Sequence, residues 1–82
     1  MSNWKEELIL DLKQEVGQTD FDDIKDLDNS YQNIKNRIAE YFRKYEDMSI
    51  DVVADLVNIL NNTDKDLKES YSTMIDYLEE GY

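Results

Sequence analysis

The chain has no cysteine, no histidine and no proline, and only two glycines in 82 residues. Without cysteine and histidine it has no disulfides, no thiolate or imidazole catalysis, and none of the usual ligands of zinc, copper or haem. No cofactor and no metal are therefore expected. Without proline, and nearly without glycine, the corners of a β-rich fold have few residues to form them. Apolar runs are short, and none approaches the roughly 18 consecutive residues that a membrane-crossing helix takes. Cations are scarce too, with nine Lys and Arg against twenty Asp and Glu, for a net charge of −11. A field of that sign repels nucleic acid and anionic lipid and attracts basic surfaces. Neither direct nucleic-acid binding nor membrane association is expected. The first residues, Met1-Ser2-Asn3-Trp4-Lys5-Glu6-Glu7, lack the basic start and apolar centre of a signal peptide, so the expected location is cytoplasmic.

What is present points to a folded helical domain. Hydrophobic residues make up 40% of the chain, and six Tyr, two Phe and one Trp accompany them; disordered chains carry few aromatics. At this length residues 1–82 form one acidic domain with a thin core.

Apolar residues recur at helical spacing along most of the chain. Trp4, Leu8, Leu12 and Val16, with Ile9 beside them, mark a first helix over about 3–16. Asn3 and Glu6 form a candidate capping box, and Gly17 stands where a helix often ends. Phe21, Ile24, Leu27, Tyr31, Ile34, Ile38, Tyr41, Phe42 and Tyr45 continue at spacings of three and four, behind a box at Thr19-x-x-Asp22. Asp28-Asn29-Ser30 interrupts them with three residues that prefer caps to helix interiors. The pattern favours a break there; the alternative is one helix over 20–46. Ser49 caps a third helix with a stripe of Ile50, Val53, Val57 and Leu60, widened by Val52, Leu56 and Ile59. A helix so apolar is expected to be the most buried. Thr63-x-x-Asp66 introduces a fourth, over 63–80, carrying Leu67, Tyr71, Met74, Ile75 and Leu78. The expected fold is all-α: a compact bundle of four antiparallel helices, or five with the break. The heptad-like spacing over 21–45 also suits a homodimer, although burial in the chain's own core is the simpler use.

Charge is uneven. Residues 1–30 carry −6, residues 31–45 carry +3 and residues 46–82 carry −8. The basic stretch holds Lys35, Arg37, Arg43 and Lys44, which in so acidic a chain are expected to pair with acids inside the bundle. Asp20, Asp22, Asp23, Asp26 and Asp28 are the densest acidic run. A helix N-terminus favours Asp20, Asp22 and Asp23 but does less for Asp26 and Asp28. Acids at helical spacings of three and four lie about 6 Å apart on one face, a density comparable with phosphates at about 3.4 Å per strand. Asp47, Asp51 and Asp55 repeat the spacing, and Asp76, Glu79 and Glu80 form a third group. The first two groups are the candidate partner-binding residues, and the expected partner is a basic, nucleic-acid-binding protein.

Other chemistry fails on its residues. Asp20-x-Asp22 and Asp26-x-Asp28 begin like calcium loops, but Lys25 and Tyr31 stand where the glycine belongs, and Tyr31 and Arg37 where the last glutamate belongs. Asp23-x-x-Asp26 and Asp76-x-x-Glu79 resemble only loosely the magnesium-holding pairs of helical nucleotide pyrophosphohydrolases. Tyr31, Tyr41, Tyr45 and Tyr71 lie on apolar stripes, where a core-edge ring with a wet hydroxyl is expected. Tyr77 and Tyr82 lie among acids.

In size, charge and helicity the chain resembles the small acidic inhibitors of phages and mobile elements, which occupy nucleic-acid channels. It is also similar in general character to immunity proteins and antitoxins. No motif carries either likeness. The expected function is non-enzymatic: blocking a basic nucleic-acid-handling protein by imitating nucleic acid. The alternatives are toxin neutralisation, or an adaptor or antirepressor that binds through an apolar face such as Tyr71, Tyr77 and Tyr82.

Overall fold

Each apolar stripe becomes one helix. In a computed structural model describing residues 3–80, these are α1 (Trp4–Gln18), α2 (Ile24–Lys44), α3 (Ile50–Leu60) and α4 (Leu67–Glu79), with no strand among the described residues. Each helix packs against its neighbours in sequence, and α1 also packs against α4 over the most extensive seam, closing a ring. The body measures 37 × 21 × 17 Å. Its interior is a single cluster running from Trp4, Leu8 and Leu12 through Ile34, Ile38 and Tyr41 to Leu56, Met74 and Leu78.

The expected break in α2 does not occur, and the helix runs unbroken through Asp28-Asn29-Ser30. Ser30 is buried, and its hydroxyl lies 2.8 Å from the hydroxyl of Tyr71 on α4. A residue that reads locally as a breaker is thus satisfied by a tertiary contact, while Asp28 and Asn29 face water. Tertiary context overrides propensity here. The first helix likewise continues past Gly17 to Gln18, and the Thr19 amide closes it on the Glu15 carbonyl at 3.0 Å.

Ser49 caps α3 as expected, accepting from the Val52 amide at 3.2 Å. The other three boxes do not form. Asn3 makes no side-chain cap bond. Asp23 rather than Thr19 caps α2, accepting from the Lys25 amide at 2.9 Å. Asp66 rather than Thr63 caps α4, accepting from the Glu69 amide at 2.8 Å. In both cases a carboxylate, which accepts a charge-assisted bond, displaces a hydroxyl as the cap.

The buried face of α3 is Val52, Leu56 and Leu60, not the stripe through Ile50, Val53 and Val57. Ile50 is mostly exposed, and α3 is not the most buried helix. Its apolar residues cover more than one face, so spacing alone did not pick the inner one. On α2, Ile34, Ile38 and Tyr41 enter the chain's own core, whereas Ile24 and Phe42 point outward.

Tyrosine hydroxyls join the helices through side-chain hydrogen bonds, some part-buried and some exposed. Tyr41 donates to Asp11 at 2.5 Å and Tyr45 to Glu7 at 2.6 Å, both between α2 and α1. Tyr31 donates to Asn61 at 2.6 Å and Tyr77 to Asp55 at 2.7 Å. Burial, with the Asp11 bond next, raises the Tyr41 phenol well above its ordinary value. The Glu7 bond raises Tyr45, and burial pushes Tyr71 up to about 12.

Candidate functional site

The five aspartates of the first acidic run lie along the α1–α2 turn and the first two turns of α2. Three of them serve the local backbone. Asp20 accepts from the Asp22 amide at 3.0 Å, Asp23 caps α2, and Asp26 accepts from the Asp20 amide at 3.4 Å. Turn chemistry therefore reaches Asp26, further than the helix dipole alone would take it. Asp22 and Asp28 are exposed, and their carboxylates have no partner among the described residues.

The second run lies elsewhere. Asp47 and Asp51 follow the far end of α2, which at 21 residues separates them from Asp23 by about 30 Å along its axis. Both are exposed, and their carboxylates are unbonded among the described residues, whereas Asp55 accepts the Tyr77 hydroxyl. In the third group, Glu79 pairs with Lys13 at 3.5 Å. Asp23 and Asp26 begin α2, whereas Asp76 and Glu79 end α4. No set of three acids placed to hold a metal occurs among the described residues.

The turn opens onto a cavity of about 540 Å³, lined by Thr19, Asp20, Phe21, Asp22, Leu27, Asp66, Leu67 and Lys68. Asp66 thus joins Asp20 and Asp22 around an apolar floor. The sequence marked Asp66 only as a cap, because nothing local ties the start of α4 to the start of α2.

The basic stretch does not pair as expected. Arg37 meets Glu40 at 3.6 Å on the surface, and Lys44 lies 5.2 Å from the centre of the Tyr45 ring. Lys35 and Arg43 are exposed and have no ion pair among the described residues. Arg43 and Lys44 occupy the last turn of α2, where cations suit the helix dipole.

Sequence reasoning missed a polar seam between α1 and α2. Two adjoining cavities, of about 350 and 270 Å³, share Glu15, Gln18 and Asn33. Glu15 lies three residues beyond Leu12 on the buried stripe of α1. An acid at a core-facing position was the available signal.

Tyr71 is fully buried, which removes it from any apolar docking face, while Tyr77 is half-buried and bonded to Asp55. Tyr82, with Gly81, lies outside the described residues. No family model, no curated protein and no solved structure matches the chain.

Proposed function

We propose that this protein is a non-enzymatic acidic inhibitor, of the kind phages and mobile elements encode, that occupies the nucleic-acid site of a basic protein. One observation carries the proposal: the acids greatly outnumber their internal partners. Twenty Asp and Glu are present, yet only two ion pairs join described residues, Lys13–Glu79 and Arg37–Glu40. Among the described residues, the carboxylates of Asp22, Asp28, Asp47 and Asp51 have neither a cation nor a hydrogen-bond donor. Unneutralised carboxylates on a fixed scaffold suit a phosphate-binding groove, because they arrive already ordered. An antiparallel course of the helices, supported by the crossed pairs Tyr41–Asp11 and Tyr45–Glu7, would supply that scaffold. The same acids suit a basic toxin, so immunity or antitoxin action uses the same chemistry on a different partner.

The test is competition. A basic partner captured from a host lysate is titrated with the protein alone and in the presence of duplex DNA or RNA. Inhibition by mimicry predicts that nucleic acid displaces the protein and that affinity falls steeply as salt rises. Binding indifferent to both would overturn it.

A second reading, an adaptor binding through an apolar contact, draws on Ile24, exposed by 82% at the start of α2; Leu10 on α1 and Ile50 at the start of α3 are separate exposed apolar side chains. It predicts binding that survives high salt and is lost on Ile24→Glu.

A further inference from the structure

Glu15 is an acid in a core position. It is 8% exposed, and its carboxylate accepts from the Gln18 side-chain Nε2 at 3.0 Å and the Thr19 hydroxyl at 3.4 Å. Both donors are neutral, and neither ion pair among the described residues includes it. Buried carboxylates ordinarily have a cation or a metal beside them, because an isolated charge is costly away from water. Glu15 instead borders both cavities of the α1–α2 seam.

The larger cavity is lined by Asp11, Glu15 and Glu40 against a single base, Arg37, which pairs with Glu40 at the surface. Gln14, Gln18, Asn33 and Asn36 line it with carboxamides, each of which carries an acceptor oxygen and an N–H donor group. The larger cavity is therefore polar and net negative.

We infer that this seam receives an arginine side chain from the partner, with Glu15 as its buried counter-ion. This rests on the proposal that the partner is basic, and assigns that partner a specific anchor. A guanidinium offers five N–H donors in one plane, which matches a carboxylate flanked by carboxamides. It is also more weakly hydrated than an ammonium, so it loses less on leaving water. The exposed aspartates attract basic chains in general, whereas the seam distinguishes arginine from lysine.

The test uses the labelled protein and three blocked pentapeptides, Gly-Gly-X-Gly-Gly, with arginine, lysine or citrulline at X. Amide resonances are followed by NMR as each peptide is added. The arginine peptide should shift residues 11–18 and 33–40, lysine should bind more weakly, and neutral citrulline should not bind. Glu15→Gln removes the charge while keeping the shape and acceptor, and should weaken the arginine peptide about tenfold, the scale of one buried charged hydrogen bond. Should that variant misfold, Asn33→Ala and Asn36→Ala, both exposed on α2, should weaken binding without touching the core. Equal binding of arginine and citrulline, or shifts confined to residues 20–28, overturns the seam. The competition by nucleic acid described above is unaffected by that result, so the two proposals fail separately.

Discussion

Glu7 and Asp11 on α1 and the aspartates of the turn that follows lie in neighbouring stretches of chain, yet they meet different partners. Glu7 and Asp11 reach across to α2 and accept the hydroxyls of Tyr45 and Tyr41. Asp20, Asp23 and Asp26 bond to backbone amides within their own turn. The carboxylates of Asp22 and Asp28 bond to nothing among the described residues. The first region couples acids to the packing of helices, and the second couples them to local turn geometry and leaves a remainder facing water. A count of acids therefore says little about binding until the internal partners are subtracted.

Raising the pH should disturb the tyrosine contacts first. Tyr41, Tyr45 and Tyr71 all have phenols raised above the ordinary value of 10. The folded state thus prefers the protonated form, so this stability is fully present below about pH 10. It is lost as pH rises through the folded values, about 12 for Tyr71. For that residue the loss is on the order of 2–3 kcal/mol, and Asp11 and Glu7 would then face phenolates. Denaturant midpoints between pH 8 and pH 12 should fall steeply above pH 10, while a Tyr41→Phe, Tyr45→Phe, Tyr71→Phe chain should fall less.

Tyr71→Phe alone should cost about 1–3 kcal/mol at neutral pH, because it leaves the buried Ser30 hydroxyl without its partner. A chemical melt unchanged by this substitution would mean that the Ser30–Tyr71 bond does not hold α2 in one piece.

Smaller effects should appear at the turn. Gly17 lies inside α1, and a Cβ there meets nothing within 4 Å, so Gly17→Ala should stabilise by about 0.4–1 kcal/mol. A loss of stability would place the end of α1 before Gly17, as its sequence suggests. Added salt should raise the melting temperature modestly, since it screens a net charge of −11 with few internal pairs. A temperature insensitive to salt would mean that the acids are already well spread.

The fold was legible where the physics was local. Trp4, Leu8 and Leu12 on α1, and Tyr71, Met74 and Leu78 on α4, fill the core that their spacing implied. Ser30 misled because its partner lies 41 residues away, and no window on α2 contains Tyr71. Ile50 misled because α3 is apolar on several faces, so only its neighbours decide which face turns inward. Among the candidate residues, the sequence put Asp20 to Asp28 on one helix, whereas Asp20, Asp22 and Asp23 precede α2. It did not foresee that Asp55 accepts from Tyr77, or that Asp66 arrives beside Asp20 from a different helix. Carboxylate positions follow from helix spacing, but carboxylate partners follow from tertiary packing.

The central claim is that acids without internal partners carry the binding, and acids with partners carry the fold. Asp22→Lys with Asp28→Lys separates the two, since both side chains are exposed and unbonded among the described residues. Calorimetric titration of this double variant and the parent chain against the captured partner, at low and high salt, is the most direct measurement. Affinity at low salt should fall at least about tenfold, or about 1.4 kcal/mol, and the difference should narrow at high salt. The melting temperature should hardly move, because solvent-facing changes shift stability by about 0.5 kcal/mol or less. Equal affinity of the two chains at low salt would contradict the account.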